Sequence, residues 1–145
     1  MRFCRTPDEI PSAPGAYLLL IELDRAVAIM RPRRARLEPG RYLYAGSAYG
    51  PGGLRARIRR HMRRNKRRRW HVDQLTGRGR VDGAWVWPMG RECALVELCS
   101  GVPAALDGFG STDCTRCSSH LLGPAASLPP ILAERCSHAD RLAAF

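Results

Sequence analysis

The chain is short of four things that most proteins of its size contain. It has one lysine, Lys66, and one asparagine, Asn65, and its basic charge is carried by 23 arginines. No Asp or Glu occurs from Pro39 through Val72. No apolar run approaches the roughly 20 residues of a membrane-spanning helix; the longest, near "AYLLLIEL", is far shorter, which excludes an integral membrane helix. The start, "MRFCRTPDEIPSAPG", places Asp8 and Glu9 where a signal peptide would carry its apolar segment. That argues against secretion and places the protein in the cytoplasm. Six cysteines in such a setting read as reduced thiols or metal ligands rather than as a disulfide framework.

What is present is a single-domain length of 145 residues with 45% hydrophobic residues, so the net charge of +11 sits on a folding chain rather than a disordered tail. A G and C rich genome would raise arginine everywhere. It would not also empty 39–72 of acids while Leu54 to Trp70 collects nine arginines and Lys66. One strongly positive face is expected, and arginine's planar fork suits phosphate.

The pattern along the chain predicts an α+β fold, a small, mainly antiparallel sheet flanked by helices. "GAYLLLIEL" and "RAVAIMR" read as a β-hairpin across Leu23-Asp24-Arg25, and "RPRRARLEPG" as a connector. "RYLYAG" is a third strand with Tyr42 and Tyr44 on one face and Leu43 and Ala45 on the other. After Gly50-Pro51-Gly52-Gly53, a helix with Leu54, Ile58 and Met62 as its apolar stripe runs to about Asn65. At about 100° per residue, Arg57 lies about 60° and His61 about 20° from Leu54, at the edge of the core, while Arg55, Arg59, Arg60 and Arg63 point away. A short helix over Trp70–Leu75, a strand "VDGAWVW" and a helix "RECALVELCS" follow. The domain is bounded at 1–123, with a Pro-rich connector and short tail of helical character over 124–145.

"GAY" at Gly15 to Tyr17, "YAG" at Tyr44 to Gly46 and "LRARIRRH" at Leu54 to His61 together resemble the GIY-YIG nuclease superfamily. Within it, "WHVDQL", "REC" and "FGSTDCTRCSSHL" resemble a small subfamily of uncharacterised proteins sometimes fused to DNA-repair glycosylases. The resemblance covers about Gly15 to Leu122. It implies a metal-dependent endonuclease whose active site is Tyr17, Tyr44, Arg57 and Glu92, with His61 matching a basic-helix histidine of some members, and DNA-repair enzymes as partners. The chain departs from the pattern in having alanine for isoleucine in both tripeptides and no asparagine late in the domain. Asp113 is a candidate to replace that polar group.

Read from their chemistry, these residues divide the work of phosphodiester hydrolysis. Glu92 offers an oxygen ligand to Mg²⁺ or Mn²⁺, or else is an acid at a helix N-terminus. Arg57 binds the scissile phosphate, or else snorkels over the sheet. Tyr17 or Tyr44 serves as base if a neighbouring cation lowers its pKa; His61 relays a proton or contacts phosphate. Arg55, Arg59, Arg60, Arg63, Arg64, Lys66, Arg67, Arg68, Arg69 and His71 are candidates to grip nucleic-acid backbone, DNA before RNA, although His71 beside Asp73 also suits a helix start. For RNA or single strands, Trp85 and Trp87 would be the stacking platforms. Cys114, Cys117 and His120 have zinc-ligand spacing with Cys93 as a fourth, the alternative being buried free thiols. Cys4, Cys99 and Cys136 read as packing or surface residues. A binding module that has lost turnover is the rival function.

Overall fold

The computed structural model describes residues 1–136. The tail expected beyond residue 136 lies outside them. Five strands form one antiparallel sheet in the order β1-β6-β2-β5-β7: β1 (Arg2–Cys4), β2 (Gly15–Leu23), β5 (Gly40–Ala48), β6 (Arg80–Pro88) and β7 (Leu121–Leu122). The fold is α+β, as the residue pattern indicates.

The expected β2–β3 hairpin does not form. β3 (Val27–Ile29) pairs with β4 (Ala35–Leu37) in a separate two-stranded sheet, and β2 takes β5 and β6 as its neighbours. β4 lies inside the segment read from sequence as a connector. Gln74 holds this small hairpin in place: its Oε1 accepts from the Met30 and Arg31 amides at 2.9 and 3.3 Å, and its Nε2 donates to the Arg31 carbonyl at 2.8 Å.

The central sheet is covered on both faces, so β2 is apolar along almost its whole length instead of alternating. Tyr17, Leu19, Ile21, Tyr42 and Tyr44 face one core with Leu54 and Ile58 of α1 (Gly53–Met62) and Val72, Leu75 and Phe109. Ala16, Leu18, Leu20, Leu43 and Ala45 face the other, with Leu95 and Cys99 at α3 (Glu92–Leu98) and Leu128 and Leu132 around α4 (Pro130–Ala133). Residues 124–136 thus contribute to the second core. Trp85 is fully buried there and donates its indole N–H to the Leu132 carbonyl at 3.2 Å, so it is a core residue and not a stacking platform. Trp87 is 36% exposed and lies over Gly90. Cys4, Cys99 and Cys136 are buried packing residues.

α1 ends at Met62 rather than near Asn65, because Arg63 turns to extended backbone. Lys66 caps this end, donating from Nζ to the carbonyls of His61, at 3.2 Å, and Arg63. The other end is tied by the Leu54 and Arg55 amides, which donate to the Ala13 and Pro11 carbonyls. α2 spans Asp73–Thr76, beginning three residues later than the sequence pattern suggested.

Candidate functional site

Along β5, β7 pairs with Leu43 and Tyr44, its other edge bridging to Ala104, and the last link along the β5 edge among the described residues is the Ala45 amide donating to the His120 carbonyl. Beyond it no described residue pairs with the edge of β5. A cleft of about 450 Å³ sits there, lined by Ala45, Gly46 and Ser47 of the strand, by Tyr17 and Tyr44, by Arg57 and His61 of α1, and by Glu92 and Cys93 of α3. α1 and α3 lie on opposite faces of the sheet and both reach this edge, where the cavity brings together Tyr17 and Glu92, 75 positions apart in the chain.

Tyr17 and Tyr44 are 2% and 8% exposed. Tyr17 lies directly across from Gly46 in the β2–β5 register, and a Cβ on residue 46 would fall 2.4 Å from the tyrosine oxygen. Glycine in "YAG" therefore makes the space in which the Tyr17 hydroxyl lies. That hydroxyl is 2.7 Å from His61 Nε2, and whichever tautomer the ring adopts, Nδ1 is buried without a partner.

Electrostatics differ from the expectation that a nearby cation lowers a tyrosine pKa. Burial pushes Tyr17 well above 10 and Tyr44 up to about 12, and the Arg57 guanidinium offsets this only in part. Burial also pushes His61 down to about 3, so the ring is neutral at pH 7. The pair is a buried, neutral Tyr–His hydrogen bond.

Arg57 projects from α1 over the face of Trp70, its Cζ 4.3 Å from the ring centroid. Arg60 lies over the same ring at 4.2 Å and Arg69 at 5.4 Å. Stacking fixes the Arg57 stem while the guanidinium makes no hydrogen bond or ion pair among the described residues. Trp70 is the residue that sequence reasoning passed over. Its signal is the arginine-rich sequence around a lone aromatic, followed by Asp73, the first acid after Glu38.

Asp73 organises this corner. Its side chain is fully buried; it takes both arms of the Arg60 guanidinium at 2.9 Å and accepts the Arg69 and Trp70 amides at 2.7 and 2.9 Å. Burial alone would raise its pKa, but Arg60 and the two amides outweigh that and hold the carboxyl below its ordinary value.

The candidate backbone-binding residues separate into two groups. Arg55 donates to the Ile10 carbonyl at 2.6 Å, Arg60 is bound to Asp73, Arg64 donates to the Gly79 and Arg78 carbonyls at 3.1 Å, and Lys66 caps α1. Arg59 lies 3.9 Å from Asp8. His71 Nδ1 accepts the Gly110 amide at 3.0 Å and its ring lies against Phe109, a positioning role for the 108–111 turn. Arg55 and Arg60 thus fold back onto the protein instead of pointing away from it. Arg63, Arg67, Arg68 and Arg69 are exposed and enter no ion pair among the described residues. Together with Asn65 they line a second cleft of about 730 Å³ on the same arm as Trp70.

Glu92 is half-buried on the cleft wall with no hydrogen bond or ion pair among the described residues, a carboxylate left available for a cation. Asp113 lines the same cleft and is exposed. Next to Glu92, Cys93 joins Cys114, Cys117 and His120 in a cluster whose ligand atoms all lie within 4.8 Å of one another, and which could hold a metal such as zinc. Cys114 Sγ accepts the Arg116 and Cys117 amides at 3.4 and 3.3 Å, which pull its pKa down to about 6, while burial pushes Cys93 and Cys117 up. Glu97, one helical turn after Cys93 on α3, pairs with Arg116 at 2.6 Å.

A family model described as a domain of unknown function, DUF123, matches residues 16–139. The chain belongs to the DUF123 family. No curated protein sequence and no solved structure matches it. The DUF123 match begins in β2 and spans every cleft residue described above, from Tyr17 to His120. No helix among the described residues is long and apolar enough to cross a membrane.

Proposed function

We propose that this DUF123 chain is a metal-dependent endonuclease of GIY-YIG type that hydrolyses phosphodiester bonds in DNA, selecting its substrate by shape and serving DNA repair or processing. The observation that carries the reading is the convergence of Tyr17, Tyr44, Arg57, His61 and Glu92, from two strands and two helices, on one cleft beside an arginine-lined groove.

Glu92 would hold one Mg²⁺ or Mn²⁺, which supplies positive charge to a phosphate oxygen and to the leaving group. Arg57, stacked on Trp70 and otherwise uncommitted, takes the scissile phosphate with its fork. Because neither tyrosine ionises readily and burial keeps His61 neutral, the Tyr17 hydroxyl, fixed by His61 Nε2, orients the attacking water, which attacks phosphorus and loses its proton to solvent. Tyr44 orders that water from the other side. Arg63, Arg67, Arg68 and Arg69 hold flanking phosphates without reading bases, so the contacts favour a backbone path over a sequence.

Purified protein incubated with labelled branched, nicked, single-stranded and plain duplex DNA, with Mg²⁺ or Mn²⁺, tests this beside Glu92→Ala and Arg57→Ala. Metal-dependent cleavage that disappears in both variants, with DNA still bound by Glu92→Ala, supports the reading. Salt-sensitive binding without cleavage of any DNA or RNA overturns it in favour of a binding module on the same scaffold.

A further inference from the structure

We propose that Cys93, Cys114, Cys117 and His120 hold one tetrahedral structural Zn²⁺ that joins the start of α3, and with it Glu92, to the 99–120 segment. The inference does not rest on the nuclease reading, since its evidence is the cluster itself.

The four ligand atoms come from two places in the chain, Cys93 on α3 and the stretch from Cys114 to His120, and all lie within 4.8 Å of one another, about an ångström more than the edge of a tetrahedron with Zn–S distances of about 2.3 Å. Cys93 and Cys114 already lie at that edge length, with sulfurs 3.5 Å apart. His120 supplies an independent sign. Its side chain is 5% exposed and its Nε2 is buried with no hydrogen-bond partner, an arrangement a metal resolves. The amides of Arg116 and Cys117 converge on Cys114 Sγ, the outer-shell support that a metal thiolate requires.

Three thiolates and an imidazole select a soft or borderline cation over Mg²⁺. Four protein ligands leave no open position, which makes the ion structural and not a water activator. The need for it is local. α3 has seven residues, too few to stand as an isolated helix, and between Leu98 and Leu121 the described residues contain no helix or strand. Besides the Arg116–Glu97 ion pair and the packing of Val102 against the core around Leu95 and Cys99, the cluster is what ties this segment to the helix carrying Glu92.

Protein expressed in zinc-containing medium and purified without chelator or metal-affinity tag should carry one zinc per chain by mass spectrometry. Cobalt exchange should give the intense visible bands of a tetrahedral cobalt–thiolate site. His120→Ala should lose the metal, His120→Cys should retain it, and chelation should lower the wild-type melting temperature. Absence of zinc together with absence of thiolate-bound cobalt in the wild type overturns the proposal, as does an iron chromophore or zinc that persists undiminished in both His120→Ala and Cys114→Ser. If the variants do not fold, the wild-type zinc content and cobalt spectrum still decide. None of these readouts requires cleavage of DNA, so a failed nuclease assay and a failed metal assay remain distinct results.

Discussion

Acidifying the protein from pH 7 to pH 5 should remove about 2 kcal/mol of stability through His61 alone. The imidazole is 1% exposed and burial holds its pKa at about 3, against 6.5 when free. Between those values the unfolded chain binds a proton at this residue and the native state does not, so stability rises with pH across the window and falls on acidification. The loss grows by about 1.4 kcal/mol per pH unit over the roughly one and a half units between the free value and pH 5. Its size at pH 5 barely changes as long as the native value lies anywhere below about 4, because the native state is then unprotonated throughout. Urea unfolding at pH 7 and pH 5 measures it, with His61→Gln as the reference. Glutamine cannot titrate yet still offers the Tyr17 hydroxyl a partner. His71, which burial also pushes down, and the cysteine cluster titrate in both proteins and cancel in the difference. Equal losses in wild type and His61→Gln would refute the reasoning.

Asp73→Asn should cost about 3 kcal/mol in denaturant unfolding at pH 7, because it leaves the 19%-exposed Arg60 without its carboxylate. Since the Asp73 pKa is depressed, its contribution is complete above the ordinary value of 3.8 and disappears only below it, so acid unfolding of the wild type below pH 4 should flatten in the variant. Arg67→Ala and Arg68→Ala together should weaken DNA binding and reduce the slope of log affinity against log salt by about 2, whereas Arg64→Ala, whose guanidinium is bound to backbone carbonyls, should leave the slope nearly unchanged.

Much of this was legible in the residues. β2, β5, β6, α1 and α3 have their apolar patterns and stop signals written locally, and the assignment of Tyr42 and Tyr44 to one face of β5 followed from period-two geometry. The β2–β3 hairpin failed because local turn chemistry at Asp24-Arg25 says nothing about which strand offers the better long-range register; nine residues of β5 outcompete three of β3. α1 was read too long because arginines are good helix formers, while the Lys66 cap that ends it is made through space. The same limit applies to charge. Sequence shows that arginines are numerous on this arm, but whether one is spent on a carbonyl, as with Arg55 and Arg64, or left open, as with Arg67, depends on neighbours fourteen to forty-five positions away. The cysteine cluster was visible as spacing, and only the fold shows that Cys93 reaches it.

The double covering of β2 bears on how the cleft could adapt to substrates of different shape. Tyr17 stands on a strand clamped by hydrogen bonds on both edges and by packed side chains above and below, so its hydroxyl is a fixed point with no direction in which to yield. Accommodation falls to the other wall, where the 99–120 segment forms no strand or helix among the described residues and is held by single links such as the Ala104–Leu122 bridge and the Arg116–Glu97 pair. One wall sets the coordinates of the chemistry and the other sets what fits against it, so changes of substrate should map to residues 99–120 and leave β2 untouched.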